Sequence, residues 1–286
     1  MTVVFFAWKR KKCTSQRINN FVLQLFTGNF QILMSVLETL DDTISFLKSL
    51  KEYPKMNRPG VAISKTRYRF ASLPKTDYKS NQEYSKRVPV GKYITGVFTN
   101  EYVIVYQAFN PTIAKSATTH QTFLKCAEYS QDRMTWIKTN FLWMMHRSEW
   151  GKSQNQEHIL AIWLKLENFL YLLSNSYLSL YNDQLPYTQR EHSTVIKNKK
   201  SRVVVQWDPH HFAIGGDKLI DKRAIQIGIK GKPYCDTFHS GILFIEDISD
   251  FVHSIDEQRL KETSFLIPNE TIMSVPDLIK ERLLIG

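Results

Sequence analysis

The residues best suited to chemistry lie between positions 133 and 150, in the string RMTWIKTNFLWMMHRSEW. The pattern predicts a strand over Arg133–Lys138 and, directly after it, an apolar helix over Asn140–Arg147. The first amides of a helix have no partner within the helix and carry partial positive charge, so this junction is expected to bind an anion. Lys138 stands beside the junction and adds a full positive charge.

The two faces of this strand separate the candidate ligand-binding groups. Trp136 and Lys138 share one face, so the indole offers a stacking plane near the ammonium, whereas Arg133 lies on the other face. Arg147 ends the apolar helix and needs a carboxylate or phosphate partner if it is buried. The same residues also fit a core helix capped by Thr139, with both cations paired to local acids. Phosphate binding and simple packing are both open at this stage.

Further polar residues stand in or beside three apolar strands. Gln107 is embedded in Tyr102–Phe109, where an unpaired amide would be costly, so its side chain must form a hydrogen bond. Arginine, lysine, glutamine and tryptophan together suit a phosphate-bearing ligand with a flat ring, such as a nucleotide, NAD or a nucleic-acid end. A polar network inside the core, without a ligand, would use the same set. The predicted ligand-binding residues are Gln107, Arg133, Trp136, Lys138, Arg147, Gln206, Trp207, Arg223 and Gln226.

The elements that must position these residues mix without a strict βαβ rhythm. Further strands are predicted over Ile159–Leu164, Arg202–Trp207, Arg223–Ile229 and Ile242–Glu246, and further helices over Thr112–His120, Glu167–Tyr181 and Asp250–Leu260. This mixture favours an α+β fold, a single domain over residues 61–286 with a largely antiparallel mixed sheet and packed helices. A basic, partly helical N-terminal extension precedes it over residues 1–60, because prolines 54 and 59 and Gly60 mark a boundary.

The formal net charge of +11 lies entirely in the first third of the chain. Residues 1–100 hold 17 lysines and arginines against 6 acids, whereas residues 101–286 hold 21 of each sign. Within residues 61–93 the basic side chains alternate with aromatic ones, a mixture that suits single-stranded RNA or DNA. It also suits a loop whose rings anchor to the core while its charges face water. The alternative to a nucleotide pocket is therefore a non-enzymatic nucleic-acid-binding module.

Other classes of protein are disfavoured. The apolar run Val3–Trp8 is too short for a membrane span, and the basic cluster follows it, which is the wrong order for a secretory signal. Three separated cysteines argue against a disulfide framework, so an intracellular location, cytoplasmic or nuclear, is expected. The sequence has no Walker loop, nucleophile elbow or metal-ligand spacing, and no cofactor is assigned. The helical period over Asn29–Tyr53 predicts an amphipathic helix that either supports self-association or packs on its own domain.

Four strings resemble the signatures of a widely distributed family, catalogued as domain of unknown function 4291. They are residues 105–111 (VYQAFNP), 133–150, 206–209 (QWDP) and 223–228 (RAIQIG), with a weaker likeness at 266–270. The resemblance extends over about residues 64–286 and implies a domain outline and site positions, but no substrate. Family members carry Lys-Pro-Ser before the central helix, where this chain has Lys138, Thr139 and Asn140, so a capping side chain is kept.

Glu157 is the candidate for a catalytic carboxylate, with Glu149 as the other acid in this region. Glu157 stands just before the predicted strand Ile159–Leu164. An NAD-consuming transferase uses a carboxylate to stabilise the ribose cation, and a compact α+β domain is compatible with an ADP-ribosyltransferase-like enzyme acting on nucleic acid. This interpretation rests on analogy at the level of the fold.

Overall fold

The computed structural model describes residues 68–198, 200–261 and 264–286. The extension predicted over residues 1–60, its helix over Asn29–Tyr53 and the boundary at residue 60 lie outside these described residues. Within them the chain forms twelve strands and eight α-helices.

The strands are β1 (Lys75–Tyr78), β2 (Gly91–Lys92), β3 (Thr95–Gly96), β4 (Tyr102–Phe109), β5 (Thr135–Lys138), β6 (His158–Lys165), β7 (Ser176–Leu178), β8 (Arg202–His211), β9 (Lys218–Lys230), β10 (Ile242–Asp247), β11 (Phe265–Pro268) and β12 (Thr271–Ile272). The helices are α1 (Asn81–Arg87), α2 (Pro111–His120), α3 (Phe141–Ser148), α4 (Leu166–Ser174), α5 (Gln189–Lys197), α6 (Tyr234–Gly241), α7 (Ser249–Leu260) and α8 (Asp277–Leu283). None of these described helices combines the length and apolar character needed to cross a membrane.

Eight strands form the main sheet, in the order β10-β6-β4-β5-β9-β8-β7, with β2 beside β9. Neighbouring strands run antiparallel, except that β7 is parallel to β8 and β2 is parallel to β9. Two smaller antiparallel sheets pair β1 with β11 and β3 with β12. The fold is therefore α+β with a largely antiparallel mixed sheet, as the sequence predicts.

The central strands β4 and β6 are buried on both faces, which explains why each is an almost unbroken apolar run. Residues 103–106 of β4 and 159–164 of β6 are completely inaccessible to solvent. Helix α3 packs against this core through Phe141, Met144 and Met145. Removal of this apolar surface from water is the main force that holds α3 in place above the sheet.

The helix predicted over Glu167–Tyr181 is wrong in its second half. Helix α4 ends at Ser174, and residues 176–178 form β7 instead, parallel to β8. The Asn175 side-chain amide donates a hydrogen bond to the Tyr171 carbonyl (2.9 Å). The Asn175 backbone amide donates to the same carbonyl (3.3 Å), so the last turn closes at Asn175 and the residues after it join the sheet.

Four of the five aromatic rings of residues 68–93 belong to the core, and Tyr93 is half-buried. Tyr68, Phe70, Tyr78 and Tyr84 are each at most 6 % exposed, whereas most of the lysines and arginines between them face solvent. A buried ring offers no face to a base. For these residues the structure favours rings that anchor the segment and charges that face water.

Candidate ligand-binding site

A row of directly opposed residues crosses the middle of the main sheet and carries the candidate polar groups. Lys138 of β5 is opposite Tyr106 of β4 on one side and opposite Gln226 of β9 on the other. Gln226 is in turn opposite Gln206 of β8. Because opposed residues project from the same face of a sheet, Lys138, Gln226 and Gln206 stand side by side.

A cavity of about 800 Å³, the central cavity, adjoins this row. Strands β4 and β5 share a backbone pair at Tyr106 and Lys138. One residue further along β4, the Gln107 side-chain amide also links the two strands. It donates to Thr135 Oγ1 (2.6 Å) and to the Trp136 carbonyl (3.1 Å) of β5. The lining includes six of the predicted ligand-binding residues, which are Gln107, Arg133, Trp136, Lys138, Arg147 and Gln226.

Lys138 is buried in the wall of the central cavity without a partner. The residue is 5 % exposed, and no hydrogen bond or ion pair reaches its Nζ from the described part of the chain. Burial lowers the pKa of Lys138 to about 8, and the nearby Arg147 acts in the same direction, whereas Asp208 opposes both. The ammonium is therefore desolvated, and among these residues the charge of Asp208 offsets that loss only in part.

Lys222 shows how this fold satisfies a buried lysine. It is 8 % exposed, and its Nζ donates to the backbone carbonyls of Ser85 and Val88, the latter at 2.9 Å. These carbonyls replace the hydration that the ammonium loses on burial. The contrast with Lys138 indicates that burial of a lysine here does not by itself leave the charge unsatisfied.

Trp136 lies against Gly228, the residue opposite it on β9. A Cβ at Gly228 would stand 2.9 Å from the indole and 2.6 Å from Met134 Sδ. The missing side chain therefore lets the ring approach the β9 backbone closely. Trp136 is half-buried and lines the central cavity, so this contact fixes the aromatic surface that the cavity presents.

Gly228→Ala is expected to lower the free energy of unfolding by about 2 kcal/mol, because the new methyl group must displace the indole. Urea unfolding measures the change. In a Trp136→Ala background the same substitution should cost less, since only the flexible Met134 side chain remains to be displaced. An equal cost in the two backgrounds would show that the ring contact does not matter.

Arg133 and Arg147 are exposed, and both line the central cavity. No ion pair within the described residues joins either guanidinium to Glu149 or Glu157. The ion pair of Arg147 with Glu149 or Glu157 that the packing interpretation expects is therefore absent from the described residues. Both side chains can reach a ligand without first breaking an internal salt bridge.

The N-terminus of α3 is occupied by the chain's own Glu270. Asn140 is the capping residue, and its Oδ1 accepts from the Trp143 amide (2.8 Å). The Glu270 carboxyl group accepts from the Phe141 amide and from Asn140 Nδ2, each at 2.5 Å. Glu270 is a half-buried residue whose carboxyl end is enclosed, and this burial raises its pKa to about 8. The anion site expected at this junction is thus filled from within, and a ligand has no access to the Phe141 amide.

Sequence reasoning did not single out Glu270 as a site residue. It lies about 130 residues beyond the helix that it caps, and no local pattern links the two segments. The available signal was the string at 266–270, which resembles a family signature and ends in this glutamate.

Asp208 connects the remaining polar residues of the row. Its carboxylate oxygens accept from Gln206 Nε2 (2.9 Å) and Gln226 Nε2 (2.7 Å). Burial raises the pKa of Asp208, while the two amides and the charges of Lys138 and Arg223 act in the opposite direction. Gln206 and Arg223 therefore belong to a polar network beside the central cavity, and they are not among the residues that line it.

Trp207 and Glu157 also stand apart from the lining. Trp207 Nε1 donates to the Leu283 carbonyl (3.0 Å), which ties β8 to α8. Glu157 Oε1 accepts from the Asn155 amide (2.8 Å), and Glu157 Oε2 is buried without a hydrogen-bond partner. The structure brings Asn155 and Gln156 to the cavity, but not Glu157.

Fold and site together define an α+β domain with a basic cavity at the centre of a largely antiparallel sheet. The chain belongs to the family described as Domain of unknown function (DUF4291), whose model matches residues 93–273. The match confirms the resemblance, and it contains every residue of the central cavity as well as Glu270. No curated protein matches the chain.

Proposed function

We propose that the central cavity binds a phosphate-bearing nucleotide. The observation that carries this proposal is the unpartnered Lys138 ammonium in the cavity wall. An unpaired buried cation is energetically costly, and a fold keeps one where something else supplies the counter-charge. A phosphate group would supply that charge and would accept charge-assisted hydrogen bonds from the ammonium.

The other charged residues of the lining support an anionic ligand. Arg133 and Arg147 add two cations, and guanidinium groups match the geometry of phosphate oxygens. Glu128 is the single acidic residue of this lining, and its Oε2 accepts from Asn110 Nδ2 (3.1 Å). The ionised side chains that line the cavity are therefore mainly positive.

Two further groups favour a ligand with a heterocyclic base. Trp136 offers an aromatic surface held against Gly228. Gln107 Oε1 is buried without a hydrogen-bond partner, although the Gln107 amide nitrogen is engaged. A ribose hydroxyl or an exocyclic amino group would donate to this oxygen, and a base would stack on the indole.

Transfer of ADP-ribose from NAD to nucleic acid is a narrower form of the same proposal. It requires a carboxylate near the ribose, and Glu157 does not line the cavity. Binding is therefore proposed first, and release of nicotinamide from NAD is a separate measurement that would extend binding to transfer.

Contact of residues 61–93 with RNA or DNA is the alternative function, and it would rest on charge because the rings between 68 and 93 are largely buried.

Isothermal titration of the full chain with AMP, NAD, adenosine and inorganic phosphate tests the proposal. AMP is expected to bind at least about 10-fold more tightly than adenosine, because a charge-assisted contact contributes about 1.5 kcal/mol or more. Arg147→Ala should weaken AMP about 10-fold and leave adenosine unchanged. Lys197→Ala, an exposed cation outside the lining, is the matched control and should bind AMP normally. Equal affinity for AMP and adenosine would refute the proposal.

A further inference from the structure

The surroundings of Lys138 are those of a reactive amine as well as of a charge. A lysine attacks carbonyl carbon only in its neutral form, which is favoured when the amine is desolvated and stands near another cation. Lys138 is 5 % exposed, and the cationic Arg147 lines the same cavity. No carbonyl or carboxylate of the described residues holds its Nζ, in contrast to Lys222.

We propose that Lys138 is a nucleophile that forms an imine with an aldehyde carrying a phosphate group. The inference rests on the proposed function, because the cavity must first hold the phosphate, here through Arg133 and Arg147. The cavity volume of about 800 Å³ accommodates a sugar phosphate together with the lysine side chain. Gln107 Oε1 is available to accept from a hydroxyl of the sugar.

The reaction balances without an oxidant or a reductant. The neutral Nζ attacks the aldehyde carbon, so the carbon–nitrogen bond forms as the carbon–oxygen π bond opens, and a proton passes from nitrogen to oxygen to give a carbinolamine. The nitrogen lone pair then expels the hydroxyl group, which leaves with a proton as water, and a carbon–nitrogen double bond to Lys138 results. Amine and aldehyde therefore become imine and water.

The state of the amine agrees with this chemistry. With a pKa of about 8, roughly one Lys138 side chain in ten is neutral at pH 7. Arg133 and Arg147 lie at the exposed part of the lining, and Lys138 lies at the buried part. A ligand can therefore place its phosphate against the two arginines and its carbonyl group against Lys138.

Trapping with sodium borohydride tests the inference on the full chain. The protein is incubated with ribose 5-phosphate, with ribose, or with a DNA oligonucleotide that carries one abasic site, and is then reduced and mapped by peptide mass spectrometry. We expect an adduct at Lys138 at least 10-fold above that at the exposed Lys115 and Lys197, and at least 10-fold less with ribose. Labelling by ribose 5-phosphate alone identifies a free sugar phosphate, and labelling by the oligonucleotide identifies a nucleic-acid source.

One variant and two outcomes keep the inference distinct from the proposed function. Lys138→Arg keeps the positive charge but lacks the amine, so total labelling of this variant should fall to the level of the exposed Lys115 and Lys197. Nucleotide binding by the unmodified chain with no adduct at Lys138 would overturn the imine and leave the proposed function standing. Equal labelling by ribose and ribose 5-phosphate, with no AMP binding, would overturn the phosphate site and support only the reactive amine.

Discussion

Lys138→Met is expected to raise the free energy of unfolding at pH 7 by about 2 kcal/mol while abolishing nucleotide binding. Methionine fills nearly the same volume without a charge, so it removes the penalty of an ammonium that is 5 % exposed and lacks a partner among the described residues. Urea unfolding measures the gain, and titration with AMP measures the loss. A substitution that stabilises the protein while it abolishes binding is typical of a binding-site residue.

The matched control is Lys222→Met. This substitution also replaces a buried lysine, but it leaves the carbonyls of Ser85 and Val88 without their donor. It is expected to lower the free energy of unfolding by about 2 kcal/mol. If Lys138→Met were as destabilising as Lys222→Met, Lys138 would be a structural cation and the proposed function would lose its main support.

The stability gained in Lys138→Met should also depend on pH, with a defined sign. Burial holds the pKa of Lys138 at about 8, below the usual lysine value of 10.5. As pH rises through this window the folded protein releases the proton before the unfolded chain does, so the stability of the unmodified protein increases. The advantage of the methionine variant should therefore be largest near pH 7 and should shrink by pH 10.

The strand–helix unit around the candidate site was predictable because its signals are local. Arg133–Lys138 alternates between faces, the run after it is apolar, and Asn140 offers a capping side chain, so β5 and α3 appear close to where they were placed. The prediction of a helix over Glu167–Tyr181 was wrong in its second half because the signals that end this helix are not local. Its end depends on a hydrogen bond from Asn175 and on pairing with β8, and periodicity does not report such pairing.

The composition of the site was harder to predict, because it depends on strand register. Gln206, Gln226 and Lys138 come together only when β8, β9 and β5 pair at one particular offset. A shift of one residue would turn the whole set to the other face. Trp207 follows Gln206 on β8 and so projects from the other face, whereas Glu157 precedes β6, and both lie outside the cavity lining.

Glu270 is the residue whose replacement should damage the domain most. Its carboxyl group accepts from the Phe141 amide and from Asn140 Nδ2 at the start of α3. Glu270→Ala is expected to lower the free energy of unfolding by about 3 kcal/mol, because two enclosed donors lose their acceptor and a void remains. Urea unfolding at pH 5 measures this loss, and Asn269→Ala, at the exposed neighbouring position, should change stability little. A loss no larger than that of the control would show that the cap contributes nothing.

Glu270→Gln isolates the charge of this group from its shape. Burial raises the pKa of Glu270 to about 8 from 4.5, so its stabilising contribution is complete below pH 4.5 and is lost as pH rises through 8. The stability of the unmodified protein relative to Glu270→Gln should therefore fall steadily from pH 5 to pH 8. Burial lowers the pKa of His210 to about 4, so the contribution of this residue to stability falls as pH falls. His210 is present in both proteins, and its contribution cancels in the difference. A difference that stays constant across this range would mean that Glu270 is ionised throughout, and that α3 is capped by a permanent negative charge.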